Sequence, residues 1–118
     1  MGTVRILKAL FLLLALVLSA GCATSFYDWG EYEESVYRVT QGGFDVGEEI
    51  RELEDHLEQV HLKNRRVPPG YHAHLAYLHA EAGDLEAAAR HLRAEKELFP
   101  EGSVFVDGTL ARMSGSRR

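Results

Sequence analysis

Between Val46 and Val60 the apolar residues Val46, Ile50, Leu53, Leu57 and Val60 recur at spacings of four, three, four and three, the repeat of one face of an α-helix. That pattern predicts a helix running to about Lys63. The stretch from Pro68 to Pro100 carries two more such stripes: Tyr71, Leu75, Leu78 and Ala82, then Leu85, Ala88, Leu92 and Phe99. Stripes of this length are marginal alone in water, so the two helices are expected to fold back across Gly83-Asp84 and bury against each other, with Leu75 facing Leu92. Upstream, Trp29, Tyr32 and Val36 share a helical face beginning near Trp29. Downstream of Pro100, a short last helix is expected to turn Val104, Phe105, Leu110 and Met113 toward the hairpin.

Local punctuation agrees with these segments. Pro68 and Pro69 end one element and suit the first turn of the next, which sets a start near Pro69. Gly83 takes the left-handed conformation that closes a helix, and Asp84 caps the helix that follows. Asp45 with Glu48 forms a capping box, while Asp28 and Ser103 are the candidate caps of the first and last helices. Glu86 with Arg90, and Arg93 with Glu97, are four-apart pairs for the outer face. Gly42 and Gly83 occupy equivalent turns, which makes helix, Gly turn, helix an internal repeat of about 41 residues.

The run from Pro68 to Pro100 resembles a tetratricopeptide repeat: Leu75, Gly83-Asp84, Ala88, Leu92 and Pro100 fall at that family's spacing. It departs from the pattern at His72 and His79, where large aromatics are usual, and at Glu95, where a small Ala is usual. An ordinary helical hairpin with Gly-Asp at its turn satisfies the same residues. The expected fold class is all-α, with about four helices in tetratricopeptide-like hairpins and a short C-terminal helix. In such a repeat the first helix of each hairpin lines a concave face, which here would present Ala73, Tyr77 and Ala80. The Lys and Asn pattern that clamps a terminal carboxylate in some members of that family is absent.

The N-terminus reads as a targeting segment rather than as part of the fold. Arg5 and Lys8 precede ten apolar residues, Ala9 to Leu18, and then the small residues Ser19-Ala20-Gly21. Ten is too few to cross a bilayer, which takes about 20. Leu18 to Cys22 resembles the lipobox of bacterial lipoproteins, with Ser19 where Leu is commonest. The resemblance implies a diacylglycerol and an N-acyl chain on Cys22 and no other cofactor. It implies cleavage after Gly21, while a plain signal peptide with an incidental Cys is the other reading. Cys22 is the only cysteine, so an exported chain forms no internal disulfide. Ala23 is not the Asp associated with inner-membrane retention, which favours the periplasmic face of the outer membrane over the inner membrane. The expected division is 1–21 signal peptide, 22–28 lipidated Cys and tether, 29–113 helical domain and 114–118 flexible tail.

Removing residues 1–21 takes away only Arg5 and Lys8, leaving 97 residues with 18 acidic and 11 basic side chains and a formal charge of −7. Such acidity argues against nucleic acid and against electrostatic adhesion to anionic lipid. Lys63-Asn64-Arg65-Arg66 is a local exception, a solvated connector or a contact for lipid phosphates.

Phe26, Tyr27, Trp29, Tyr32 and Tyr37 crowd one segment. They are the core of a first helix, an interfacial belt, or an anchor for a partner. Tyr27 to Glu33, YDWGEYE, right after a lipobox and ahead of a repeat-like hairpin, resembles a family of small proteobacterial lipoproteins of unknown function. That resemblance implies a curli-secretion-channel-like lipoprotein and another small lipoprotein as neighbours and partners. The candidate partner-binding residues are Trp29, Tyr32, Ala73, Tyr77 and Ala80.

Six histidines raise the question of a metal, but no two lie four apart, there is no H-E-x-x-H, and the lone Cys is claimed by lipid. None of the serines, Ser35 included, sits in a nucleophile motif. The sequence therefore predicts no metal site and no catalytic residues. It points to a lipid-anchored periplasmic interaction module, with a small metal-binding or hydrolytic lipoprotein as the alternative.

Overall fold

The computed structural model describes residues 1–19 and 26–115, without the side chains of 16–19, so Cys22 lies outside the described residues. Helix α1 spans Gly2–Ser19, α2 Tyr32–Gln41, α3 Val46–Leu62, α4 Tyr71–Glu81 and α5 Leu85–Leu98. A 3₁₀ turn at Pro100–Gly102 leads into α6, Ser103–Gly115. The protein is all-helical, with no strand among the described residues. The side chains of residues 1–15 are exposed along α1, and no helix among the described residues is long and apolar enough to cross a membrane.

From α3 onward, each helix packs on the next. Leu53, Leu57 and Val60 of α3 meet Tyr71, Leu75 and Leu78 of α4, with Tyr32, Val39 and Phe44 closing over the edge. A second cluster joins Ala76 of α4, Ala88 and Leu92 of α5, and Val106 of α6. Leu75 and Leu92 therefore do not face one another. Leu75 belongs to the α3–α4 cluster, and the interior of the α4–α5 hairpin is lined mainly by alanines, whose small side chains let the two backbones approach closely. Helix α2 has no such small-residue seam; it is held to α3 and α4 by large rings and by polar bonds.

The helix starts show where local signals were sufficient. Asp45 accepts from the Glu48 amide at 2.8 Å and Asp84 from the Ala87 amide at 2.9 Å, as expected of caps, and Gly83 is left-handed at φ 83°. Asp28 is not a cap: α2 begins at Tyr32 with Glu31 before it, and the Asp28 amide instead donates to the Arg66 carbonyl at 2.9 Å. Ser103 is not a cap either; it is already helical, because the 3₁₀ turn has started the winding. That turn rotates the face of α6, so Val106, Leu110 and Met113 pack inward while Val104 and Phe105 are 85% and 59% exposed. Glu86 and Arg90 pair at 3.3 Å, whereas no ion pair joins Arg93 to Glu97.

Helix α4 starts at Tyr71, two residues later than the prolines suggested, because Pro68 to Tyr71 form a turn closed by the Tyr71 amide on the Pro68 carbonyl at 3.2 Å. Pro69 supplies the fixed φ of the second turn residue, and Gly70 at φ 88°, ψ −15° supplies the left-handed third, the geometry of a type II turn. Gly70 has no side chain to cap the helix, and a Cβ there would lie 2.7 Å from the Tyr32 hydroxyl. The cap comes from another helix. Glu95 of α5, buried, accepts from the Gly70 amide at 2.6 Å and the Ala73 amide at 3.3 Å. An acidic residue where a repeat would have Ala is thus explained by the helix start that it serves.

Candidate functional site

Tyr27, Trp29 and Tyr32 of the aromatic segment form a ladder, while Phe26 and Tyr37 stay 61% and 65% exposed. Trp29 stacks on Tyr32 at 5.8 Å and Tyr32 on Tyr71 at 5.4 Å, while Tyr27 sits edge-on to both Trp29 and Phe99. The Tyr71 hydroxyl donates to the Leu53 carbonyl at 2.8 Å, and burial pushes its pKa well above the ordinary tyrosine range. Arg66 lies 4.2 Å over the Phe26 ring and Arg65 is 4.0 Å from Asp28, so half of the basic connector is engaged by this segment. Residues 26–28, expected to belong to the tether, thus make contacts with the helical domain.

The five residues expected to bind a partner do not share a face. Tyr32 is packed against the α3–α4 core and Ala80 against the α4–α5–α6 cluster. Trp29 is half-buried in the ladder, and Ala73 lies half-buried at the Glu95 cap. Tyr77 alone of the five is well exposed, at 46%, its ring parallel to that of His74. The predicted concave face of Ala73, Tyr77 and Ala80 therefore reduces to Tyr77, because α4 spends its alanines on contact with α5.

Ser35 and His74 meet at 2.9 Å, a juxtaposition of hydroxyl and imidazole in which Ser35 is fully buried. It joins α2 to α4 beside a second bond, the two-pronged grip of Arg38 on Glu49 at 2.6 and 3.0 Å. The Arg38 hydrogen bond holds the Glu49 carboxyl below its usual range, outweighing the opposing effect of burial.

A different group of side chains converges from three helices. Glu54 Oε1 of α3 is 2.9 Å from His79 Nε2 of α4 and 3.1 Å from His91 Nε2 of α5. His91 Nδ1 is in turn 2.9 Å from Nδ1 of buried His72. The His79 and His91 rings stack at 5.2 Å, inclined by 17°. Burial would raise the Glu54 carboxyl, but hydrogen bonds from both imidazoles and their charge bring it below its usual range. Burial, then the neighbouring His91, lowers His72 to about 4, so it is neutral near pH 7. Ligand atoms of Glu54, His79 and His91 all lie within 4.8 Å of one another, which is close enough to share one cation.

Sequence reasoning missed this cluster because it sought histidines four apart on one helix. A usable signal was present: His72 and His79 stand where the repeat pattern has large aromatics. Polar rings at packing positions need polar partners.

No curated protein and no solved structure matched the chain in comparison. Residues 26–109 match the family described as Domain of unknown function (DUF4810), a span that starts where the aromatic segment starts and ends within α6. The chain belongs to that family.

Proposed function

We propose that this protein is a lipid-anchored interaction module of the bacterial envelope, held by Cys22 at the periplasmic face of the outer membrane. The inner membrane is the alternative address. The observation that carries the reading is the close succession of three features: an apolar helix whose side chains are exposed through residue 15, Cys22, and a helical domain that includes residue 26. Only residues 23–25 separate the anchor from the domain, a reach of at most about 10 Å. The domain would therefore work against the bilayer rather than at the end of a long tether, suited to holding a neighbouring envelope protein. The α4–α5 hairpin, which we read as tetratricopeptide-like from its sequence, supports a docking role, with Tyr77 as the contact. The partner class is the one the lipoprotein resemblance implies, a curli-secretion-channel-like lipoprotein and a second small lipoprotein.

Two variants test it. Cys22→Ser should abolish partitioning into a detergent phase and leave the precursor uncleaved. Tyr77→Ala, on an exposed side chain, should keep the fold and weaken recovery of envelope partners by cross-linking. Normal partitioning and processing of Cys22→Ser would remove the anchor, and undiminished recovery with Tyr77→Ala would remove the docking face.

A further inference from the structure

We propose that Glu54, His79 and His91 form a binding site for one divalent transition-metal ion of the zinc type, with His72 orienting His91. This goes beyond docking and depends on neither the anchor nor Tyr77.

The donor set suits such an ion. Two imidazoles, which are borderline ligands, beside one carboxylate favour zinc and its neighbours over calcium or magnesium, which take all-oxygen shells. The geometry is close to what a tetrahedral ion needs. Zinc holds nitrogen and oxygen ligands at about 2.0–2.2 Å, which sets tetrahedral ligand atoms roughly 3.3–3.5 Å apart. The two imidazole nitrogens are now 2.9 and 3.1 Å from the carboxylate oxygen, so each nitrogen–oxygen pair needs to open by a few tenths of an ångström, and all three ligand atoms lie within 4.8 Å of one another. The three side chains are 44%, 13% and 15% exposed for Glu54, His79 and His91, leaving a path in and a fourth position for water. Asp55 and Glu58 share a groove with Glu54 and add negative charge on its side of the cluster.

The protons balance in both states. In the neutral tautomers that fit the metal-free geometry, Nε2 of each imidazole carries the hydrogen that it donates to Glu54, so His91 Nδ1 is bare and accepts from His72 Nδ1–H. With metal, Nε2 of each imidazole gives its lone pair to the ion and its hydrogen moves to Nδ1. His91 Nδ1–H then donates to His72, whose own hydrogen moves to Nε2. The 2.9 Å bond between the two rings survives with its direction reversed. A ligating histidine whose other nitrogen donates to a fixed acceptor is the usual support of a metal centre. No redox change or co-reactant is required.

The test is zinc titration of the full chain, made without a polyhistidine tag and held in detergent, in competition with a chromophoric chelator. One equivalent should bind. Affinity should fall at least tenfold in each of Glu54→Gln, His79→Ala and His91→Ala, and about tenfold in His72→Phe. His61→Ala, on the same groove but outside the cluster, should match the parent. Glu54→Gln is the deciding variant because its exposed side chain can change without loss of fold; zinc should raise the thermal midpoint of the parent but not of Glu54→Gln. Nitrogen NMR of the imidazoles should show His91 moving from the Nε2–H to the Nδ1–H form on titration. Absence of stoichiometric binding, parental affinity in Glu54→Gln, or a loss in His61→Ala equal to that in His79→Ala would overturn the site.

Discussion

Removal of the Glu95 carboxylate tests how the α4–α5 hairpin is built, because one side chain caps a helix that its own sequence leaves uncapped. Gly70 contributes no side chain, and the two amides at the start of α4 are met by Glu95 at 2.6 and 3.3 Å. Glu95→Ala deletes both acceptors and the negative charge at the positive end of α4. The shorter bond is charge-assisted and is worth ~1.5 kcal/mol; the longer one and the helix-end charge each add ~0.5 kcal/mol. Relief from burying a carboxylate returns part of this, so the net loss is about 2 kcal/mol, the upper end for a helix cap. In a domain of this size 1 kcal/mol moves the thermal midpoint by about 4–8 °C, so Glu95→Ala should melt roughly 8–16 °C lower by far-UV circular dichroism at neutral pH. Glu95→Gln keeps an acceptor without the charge and should fall about half as far. A midpoint for Glu95→Ala within ~2 °C of the parent would refute the cap, and with it the account of why an acid stands where the repeat pattern has Ala.

Two further perturbations probe the seams on either side. Ala88→Leu, at a fully buried position between α4 and α5, should cost ~1–3 kcal/mol by overpacking, whereas Ala82→Leu, exposed at the end of α4, should stay within ~0.5 kcal/mol; equal effects on urea midpoints would contradict an alanine-lined interface. Glu49 is held below the ordinary glutamate value of 4.5 by its hydrogen bond from Arg38, so its contribution is fully present above pH 4.5 and is lost as pH falls through the lower folded value. Glu49→Gln should be less stable than the parent at neutral pH and should show a smaller decline on acidification below 4.5; parallel stability–pH curves would show that the Arg38 grip contributes nothing.

What the sequence made legible was whatever is decided within a few residues. Helix α3 follows from five apolar residues on one face and from Asp45, whose carboxylate needs only the amide three positions on. The Gly83-Asp84 turn is equally local. Errors arose where a distant element decides. Asp28 looks like a cap until the Arg66 carbonyl, nearly forty residues away, takes its amide and moves the start of α2 to Tyr32. Val104 and Phe105 look like the inward face of α6 until the 3₁₀ turn after Pro100 shifts the phase; the spacing of Val106, Leu110 and Met113 by four and three was the better stripe. The pairing of Leu75 with Leu92 failed for a related reason: a helix between two neighbours has two buried faces, and α4 gives its leucines to α3 and its alanines to α5.

The histidine cluster was hidden because its members come from three helices, yet its position was marked by what the hairpin lacks. A repeat-like pair packs its helices through rings and methyl groups at fixed places, so a polar residue substituted there loses water and must find a partner across the interface. His72, His79 and Glu95 are three such substitutions, and all three are satisfied by another helix: His72 by His91, His79 by Glu54, and Glu95 by the first amides of α4. The partners in the first two bonds, His91 and Glu54, lie 3.1 Å apart, so the two bonds join into one cluster, while Glu95 stays separate as a cap. Substitutions that arise for solubility would point outward and remain unpaired. These point inward and meet, so the departures from the repeat pattern, more than the matches to it, mark the polar contacts between the helices and, in His79 and the His72–His91 pair, the proposed metal site.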